Sequence, residues 1–278
     1  MKQEMAVILR SAITSFLVVI AVGLNVGRTD QNSEPTKDKL DSSGRLETLL
    51  KAWDKANQNA REIHYIMEWT TEDRVLKDKN VRRAEGFVKK HKLARLDLSE
   101  DKGKPTQIIL LNDRTLEMYN IQKKEKLSWE TPFASPGDDS NKGWFGGILA
   151  RMFQEFHELF CFDISLDEVH QRFDVHLRKE DQYWAYIQLI PKTKEEREFL
   201  RELEVVLDQK THLIRQYRGI NANGNRSILD FQKVEINPTP AITLESISKD
   251  LPKGFKETNL QNLIGEQTEV SPADSKSR

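Results

Sequence analysis

Ile63, Tyr65, Met67 and Trp69 alternate with His64, Ile66, Glu68 and Thr70, the period-two pattern of a half-buried strand. Immediately before it, Leu46, Leu49, Leu50 and Trp53 recur at helical spacing, and Ser42 or Ser43 can cap the helix they predict, whose apolar stripe needs a sheet to cover. From Val81 to Leu98, Gly86-Phe87-Val88 and then Leu96 and Leu98 stand among many Lys and Arg residues, which predicts long, edge-facing strands with one wet side. Ile108 to Leu111, Leu116 to Ile121 and Leu127 to Trp129 follow. Asn112-Asp113-Arg114 and Gln122-Lys123-Lys124-Glu125 separate them, giving two strand-turn-strand units.

Thr131 to Lys142, with Pro132, Pro136 and Gly137, reads as a loop that interrupts this meander. Trp144, Phe145, Ile148, Leu149, Met152, Phe153, Phe156 and Leu159 then predict a helix whose apolar face is wider than a surface helix needs. Ser165-Leu-Asp-Glu168 is a capping box that opens a second helix bearing Val169 and Phe173. Strand-like runs resume at Tyr183 to Lys192, Leu203 to Asp208, Leu213 to Arg218 and Ile228 to Val234, with a helical turn at Thr193 to Glu196 and a sharp turn at Asn223-Gly224. The order is helix, about five strands, helical insertion, about five strands. The fold class expected is α+β: a strongly curved antiparallel sheet, an incomplete β-barrel of about 10–11 strands wrapped around inserted helices.

The termini differ from this pattern. Lys2 and Arg10 precede the uncharged run Ser11 to Gly27, which reads as an export signal or a membrane anchor; its length suits both, and Ala21, Gly23 or Gly27 could serve a signal peptidase. A lipoprotein signal would need a cysteine just after the run, and Cys161 lies far from it. Residues 28–42 have almost nothing to bury and read as a flexible linker, and 257–278 as a disordered tail, leaving one folded domain over 43–256.

Charge narrows the function. The chain of 278 residues holds 43 Lys plus Arg against 44 Asp plus Glu, and this formal charge of −1 argues against a binder of nucleic acid or of acidic membranes. One cysteine excludes an intramolecular disulfide and a cysteine-built zinc site. His157, Cys161, Glu168 and His170 are metal-ligand types, but their spacing fits no established motif; Cys161 reads as a small core residue and the histidines as polar helix positions. Gly-x-Ser-x-Gly, His-Glu-x-x-His, phosphate-loop and dinucleotide patterns are absent, so no catalytic, cofactor or metal residues are assigned and no enzyme is expected.

Tyr186-Ile-Gln-Leu-Ile-Pro-Lys192, Leu203-Glu-Val-Val-Leu-Asp208, Asn223-Gly224-Asn225, Phe231, Asn237 and Pro252-Lys-Gly254 succeed one another in an order that resembles the second half of the LolA and LolB lipoprotein-carrier superfamily. Gly86-Phe-Val-Lys-Lys-His and Asn112-Asp-Arg-Thr-Leu-Glu-Met-Tyr119 are similar to its first-half strands, although the carriers' arginine beside a proline is met here by Lys89-Lys90-His91-Lys92. From Leu46 to Phe255 the chain resembles most closely an uncharacterised family of secreted planctomycetal proteins related to those carriers. The resemblance implies an apolar interior and a place in the periplasm or cell envelope. The expectation is a non-enzymatic carrier of a lipid or lipoprotein acyl chain, in a cavity lined or lidded by Trp69, Phe87, Met118, Trp129, Phe145, Ile148, Met152 and Phe153. The alternative is an interaction or sensor module with a filled core and an envelope protein as partner.

Overall fold

The computed structural model describes residues 43–90, 92–100, 103–112, 115–130 and 164–259. Four helices and twelve strands follow in chain order: α1 (Ser43–Asn59), β1 (Glu62–Glu72), β2 (Lys79–Lys89), β3 (Leu93–Ser99), β4 (Gln107–Leu111), β5 (Thr115–Asn120), β6 (Glu125–Glu130), α2 (Leu166–Arg172), β7 (Phe173–Glu180), β8 (Trp184–Pro191), α3 (Lys194–Arg197), β9 (Leu200–Asp208), β10 (Ile214–Asn221), β11 (Arg226–Ile236), α4 (Leu244–Ser248) and β12 (Lys256–Asn259). The strands lie in the order β12-β6-β5-β4-β3-β2-β1-β11-β10-β9-β8-β7. Among the described residues this order ends on two different strands, so the sheet is open, as an incomplete barrel requires, and the α+β class is the one expected. The helix anticipated at Trp144 to Leu159, with Phe145, Ile148, Met152 and Phe153, lies outside the described residues, as do the N-terminal apolar run and residues 260–278.

Local chemistry sets several boundaries where the sequence placed them. Ser165 caps α2 with a full capping box: its hydroxyl accepts from Glu168 N at 3.2 Å, and its own N–H donates to Glu168 Oε2 at 2.8 Å. Thr193 accepts from Glu196 N to start α3. Gly224 takes φ +81° in the β10–β11 turn, a conformation that glycine reaches without strain. The twelve strands exceed the ten or eleven expected, and two of them lie where no strand was read. β7 begins at Phe173, the residue read as helical, because α2 stops at Arg172. β12 pairs in parallel with β6, so residues 257–259, expected in the tail, belong to the sheet.

The described residues form two compact units: 43–60, 66–82 and 164–234, and 61–65, 83–130 and 235–259. The first unit has a sheet with one apolar face. Pairing carries it across neighbouring strands: Ile187 opposes Leu177 and Val205, and Tyr217 opposes Val205 and Leu229. Tyr217 and Phe231 meet edge to face at 5.9 Å. α1 buries Leu49, Leu50, Trp53 and Asn57 along one stripe, and Asn57 Nδ2 donates to Ile164 O at 3.2 Å. The opposite sheet face is polar, with Arg178 on Glu202, Arg218 on Glu204 and Lys179 over the Tyr186 ring at 4.1 Å.

The second unit buries both faces of its central strands. β2 and β3, expected to be edge-facing, are interior to the sheet, and Arg95 is itself buried. Gly86 opposes Leu96, and the ring of Tyr65 fills the space a side chain would take there; a Cβ on Gly86 would stand 2.1 Å from Tyr65 Cζ. Gly86→Ala is expected to lower stability by about 1–3 kcal/mol through this overpacking, read as a reduced denaturation midpoint. Tyr65→Leu added to Gly86→Ala should cost less than the sum of the two single changes, and strict additivity would show that the ring does not hold the glycine.

Candidate functional site

The register of the second unit sorts its side chains onto two faces with different chemistry. On one face Ala84 opposes Leu98, Val88 opposes Ala94, Leu96 opposes Ile109, Ile109 opposes Met118, Leu111 opposes Leu116, and Leu116 opposes Trp129. All of these are buried, Met118 at 8% and Trp129 at 4% exposure. Five neighbouring strands, β2 to β6, thus present an apolar surface with no charged group in its centre. Each fully buried Leu or Ile on it adds about 1.5–3 kcal/mol to folding.

The other face mixes apolar and charged groups. Leu110 packs with Ile242 and Ile247, and Phe87, Leu93 and Leu251 close around them. Tyr119 meets Phe255 edge to face at 5.9 Å. The charges there are spent on binding the C-terminal segment. Arg95 donates to both carboxylate oxygens of Asp97, at 2.7 and 2.9 Å, and to Ile247 O at 2.7 Å. Lys89 donates to Glu62 Oε1 at 2.7 Å, and Ile242 N–H to Glu62 Oε2 at 2.7 Å. Asn237 accepts from the N–H groups of Arg61 and Glu62. His64 lies between two carboxylates, 2.9 Å from Glu85 and 2.8 Å from Glu235, with its ring stacked 4.7 Å from Phe87.

These environments move several proton affinities. Burial works to raise Glu62, but the hydrogen bonds from Lys89 and Ile242 and the Lys89 charge outweigh it and hold the carboxyl below its ordinary range. Asp97 goes the other way: burial dominates the opposing Arg95 contact, and Glu85 adds repulsion. Burial and the adjoining Glu117 carboxylate push the Tyr119 hydroxyl up, so it stays protonated and donates to Glu117 Oε2 at 2.6 Å. Burial acts to lower Lys126, but Glu117 and Glu257 overcome it and raise the ammonium.

The sequence-predicted lining residues therefore separate. Met118 and Trp129 share the apolar face of the second unit. Phe87 belongs to the other face, because its neighbours Gly86 and Val88 point to the first and a strand alternates. Trp69 is 2% exposed in the first unit, where its Nε1–H donates to Ser227 Oγ at 3.0 Å. Of the metal-type residues, His157 and Cys161 lie outside the described residues, Glu168 is committed to the α2 cap, and His170 stands 3.8 Å from Glu47. No group of three potential metal ligands occurs among the described residues. No helix among them is long and apolar enough to cross a membrane.

No protein-family model matches the chain, and no curated protein matches it. Solved structures do. An uncharacterized conserved protein from Thermus thermophilus is 8% identical with a TM-score of 0.46, over 77% of this chain and 99% of that one. A LolA superfamily protein from Nitrosomonas europaea is 10% identical with a TM-score of 0.33, over 70% of this chain and 94% of that one. A chain of the Pseudomonas aeruginosa MucA/MucB complex is 12% identical with a TM-score of 0.39, over 73% of this chain and 60% of that one. At such identities and scores these are loose likenesses of fold, and none carries a function to this chain.

The Glu62 contacts make a pH prediction. A carboxyl held below its ordinary value of 4.5 contributes stability above that value and loses it as pH falls through the folded-state value. Glu62→Gln should cost about 2 kcal/mol at neutral pH. The gap to wild type should shrink below pH 4.5 in urea titrations, and a gap constant from neutral to acid would refute the assignment.

Proposed function

We propose that this chain is a non-catalytic binding protein of the cell envelope, which takes an acyl chain of a lipid or lipoprotein against the apolar face of its second unit. One observation supports the reading: across β2 to β6 the central positions of that face are apolar, with the Tyr65 ring lying over Gly86, and Met118 and Trp129 lie on it through their pairing with Ile109 and Leu116. An acyl chain needs no specific polar partner; each CH₂ it buries contributes about 0.8 kcal/mol, so a continuous apolar surface suffices. Met adapts to irregular apolar shapes and Trp offers a broad ring, both suited to a flexible chain.

The compartment follows from Lys2, Arg10 and the uncharged run Ser11 to Gly27, read as an export signal or anchor. The charged residues of the second unit support a binding rather than a catalytic role, since Glu62, Lys89, Arg95 and Asp97 are engaged in holding the C-terminal segment. Kinship with the secreted planctomycetal proteins related to LolA belongs to the same proposal.

Native mass spectrometry of the chain purified from an envelope extract tests it. A stoichiometric acyl-chain adduct is expected, and Met118→Lys should abolish it while Tyr183→Lys, at an exposed position, should not. A clean apo mass that persists after incubation with phospholipid overturns the reading. Co-purification of an envelope protein in place of lipid would move the assignment to a protein-binding module.

A further inference from the structure

Val75 and Leu76 are 83% and 77% exposed, the most exposed large apolar side chains among the described residues. They occupy the tip of the β1–β2 hairpin in the first unit, in a run from Arg74 to Val81 that is exposed throughout. The turn does not need them. Asp73 Oδ1 accepts from the N–H groups of Val75 and Leu76 at 2.8 Å each, Asp73 N–H donates to Asp78 O at 2.9 Å, and Lys77 takes the left-handed φ of 54°. Those groups define the turn, and hairpin tips of this kind ordinarily carry Asn, Asp, Gly or Ser. The tip is also braced: Arg74 N–H donates to Asn225 Oδ1 at 2.8 Å, Asn225 Nδ2 donates to Asp73 Oδ2 at 3.3 Å, and the Arg74 stem lies over Gly224 of the β10–β11 turn.

The surroundings choose the partner. Arg74, Lys77 and Lys79 flank the two aliphatic side chains, Arg226 is exposed at the start of β11, and Asp78 is the acid within the exposed run, Asp73 being committed to the turn. A convex apolar pair ringed by cations fits a surface that needs no preformed pocket and bears negative charge: a lipid interface with anionic headgroups. We infer that the β1–β2 tip docks this protein on an anionic bilayer, with Val75 and Leu76 entering the headgroup boundary while Arg74, Lys77 and Lys79 meet phosphate. This surface is independent of what the apolar face of the second unit binds.

The test uses the full chain carrying Cys161→Ser and Leu76→Cys, the new thiol bearing an environment-sensitive fluorophore. The same fluorophore at Lys210→Cys, on the β9–β10 turn, is the control. Vesicles are phosphatidylcholine alone, or phosphatidylcholine with phosphatidylglycerol, each with brominated lipid as quencher. The expected result is a blue-shifted emission and lipid quenching at position 76 and not at 210, seen with phosphatidylglycerol and lost with Arg74→Glu/Lys77→Glu/Lys79→Glu, a set of exposed sites that leaves the core intact. Because the label reports the depth of the tip, attachment through Ser11 to Gly27 alone leaves it unshifted. An unshifted label overturns the inference, as does an equal shift with phosphatidylcholine alone or a shift that needs added envelope protein.

Discussion

A sheet that is apolar on both faces must be covered twice, and in the second unit this requirement governs the rest. Phe87, Ile108, Leu110 and Tyr119 point away from the apolar face that carries Leu96, Met118 and Trp129, and they too need cover. The chain supplies it from residues 237–259: Ile242, Ile247, Leu251 and Phe255 land on that side. Charged residues in a mostly buried setting fasten the cover, because backbone groups of the C-terminal segment need partners and an unmet buried donor or acceptor costs about 1–3 kcal/mol. Arg95 gives Ile247 O its donor and Glu62 gives Ile242 N–H its acceptor. Polar residues on these strands are thus structural attachments, and the opposite face is left free of charge.

The first unit solves a simpler problem. One face is apolar and the other is wet, so Arg178, Lys179, Glu202, Glu204 and Arg218 form a mosaic of exposed pairs that keeps the surface soluble and adds little to stability. Polar groups buried in it are paired: the Trp69 indole N–H reaches Ser227, and the Asn57 amide on α1 reaches the backbone at Ile164. The two units therefore bury comparable residues for different reasons, and an apolar side chain in one says little about the role of its counterpart in the other.

Much of this was legible where information is local. The alternation of β1, the capping box at Ser165 and the Asn223-Gly224 turn are decided within a few residues, and the chain uses them as read. β3 was misjudged because Arg95 and Asp97 look like a wet side until Arg95 meets Ile247 O, 152 residues away. β7 and β12 escaped because Asp174 to Glu180 and Lys256 to Asn259 carry charge or polarity where a strand signal wants β-branched and aromatic residues. The same alternation held the signal that separates Phe87 from Met118: with Ala84, Gly86 and Val88 facing one way, Phe87 must face the other.

Among the described residues the sheet ends on β12 at one side and β7 at the other, and an exposed strand edge invites a second chain to hydrogen-bond onto it. β12 spans only Lys256–Asn259, too short to template a long intermolecular ladder, and its parallel seat on β6 occupies the edge that strand would otherwise offer. β7 is longer, but Asp174, His176, Arg178, Lys179 and Glu180 break any apolar run along it. Charge along β7 and the brevity of β12 thus work against edge-to-edge stacking of a protein built on so much apolar strand surface.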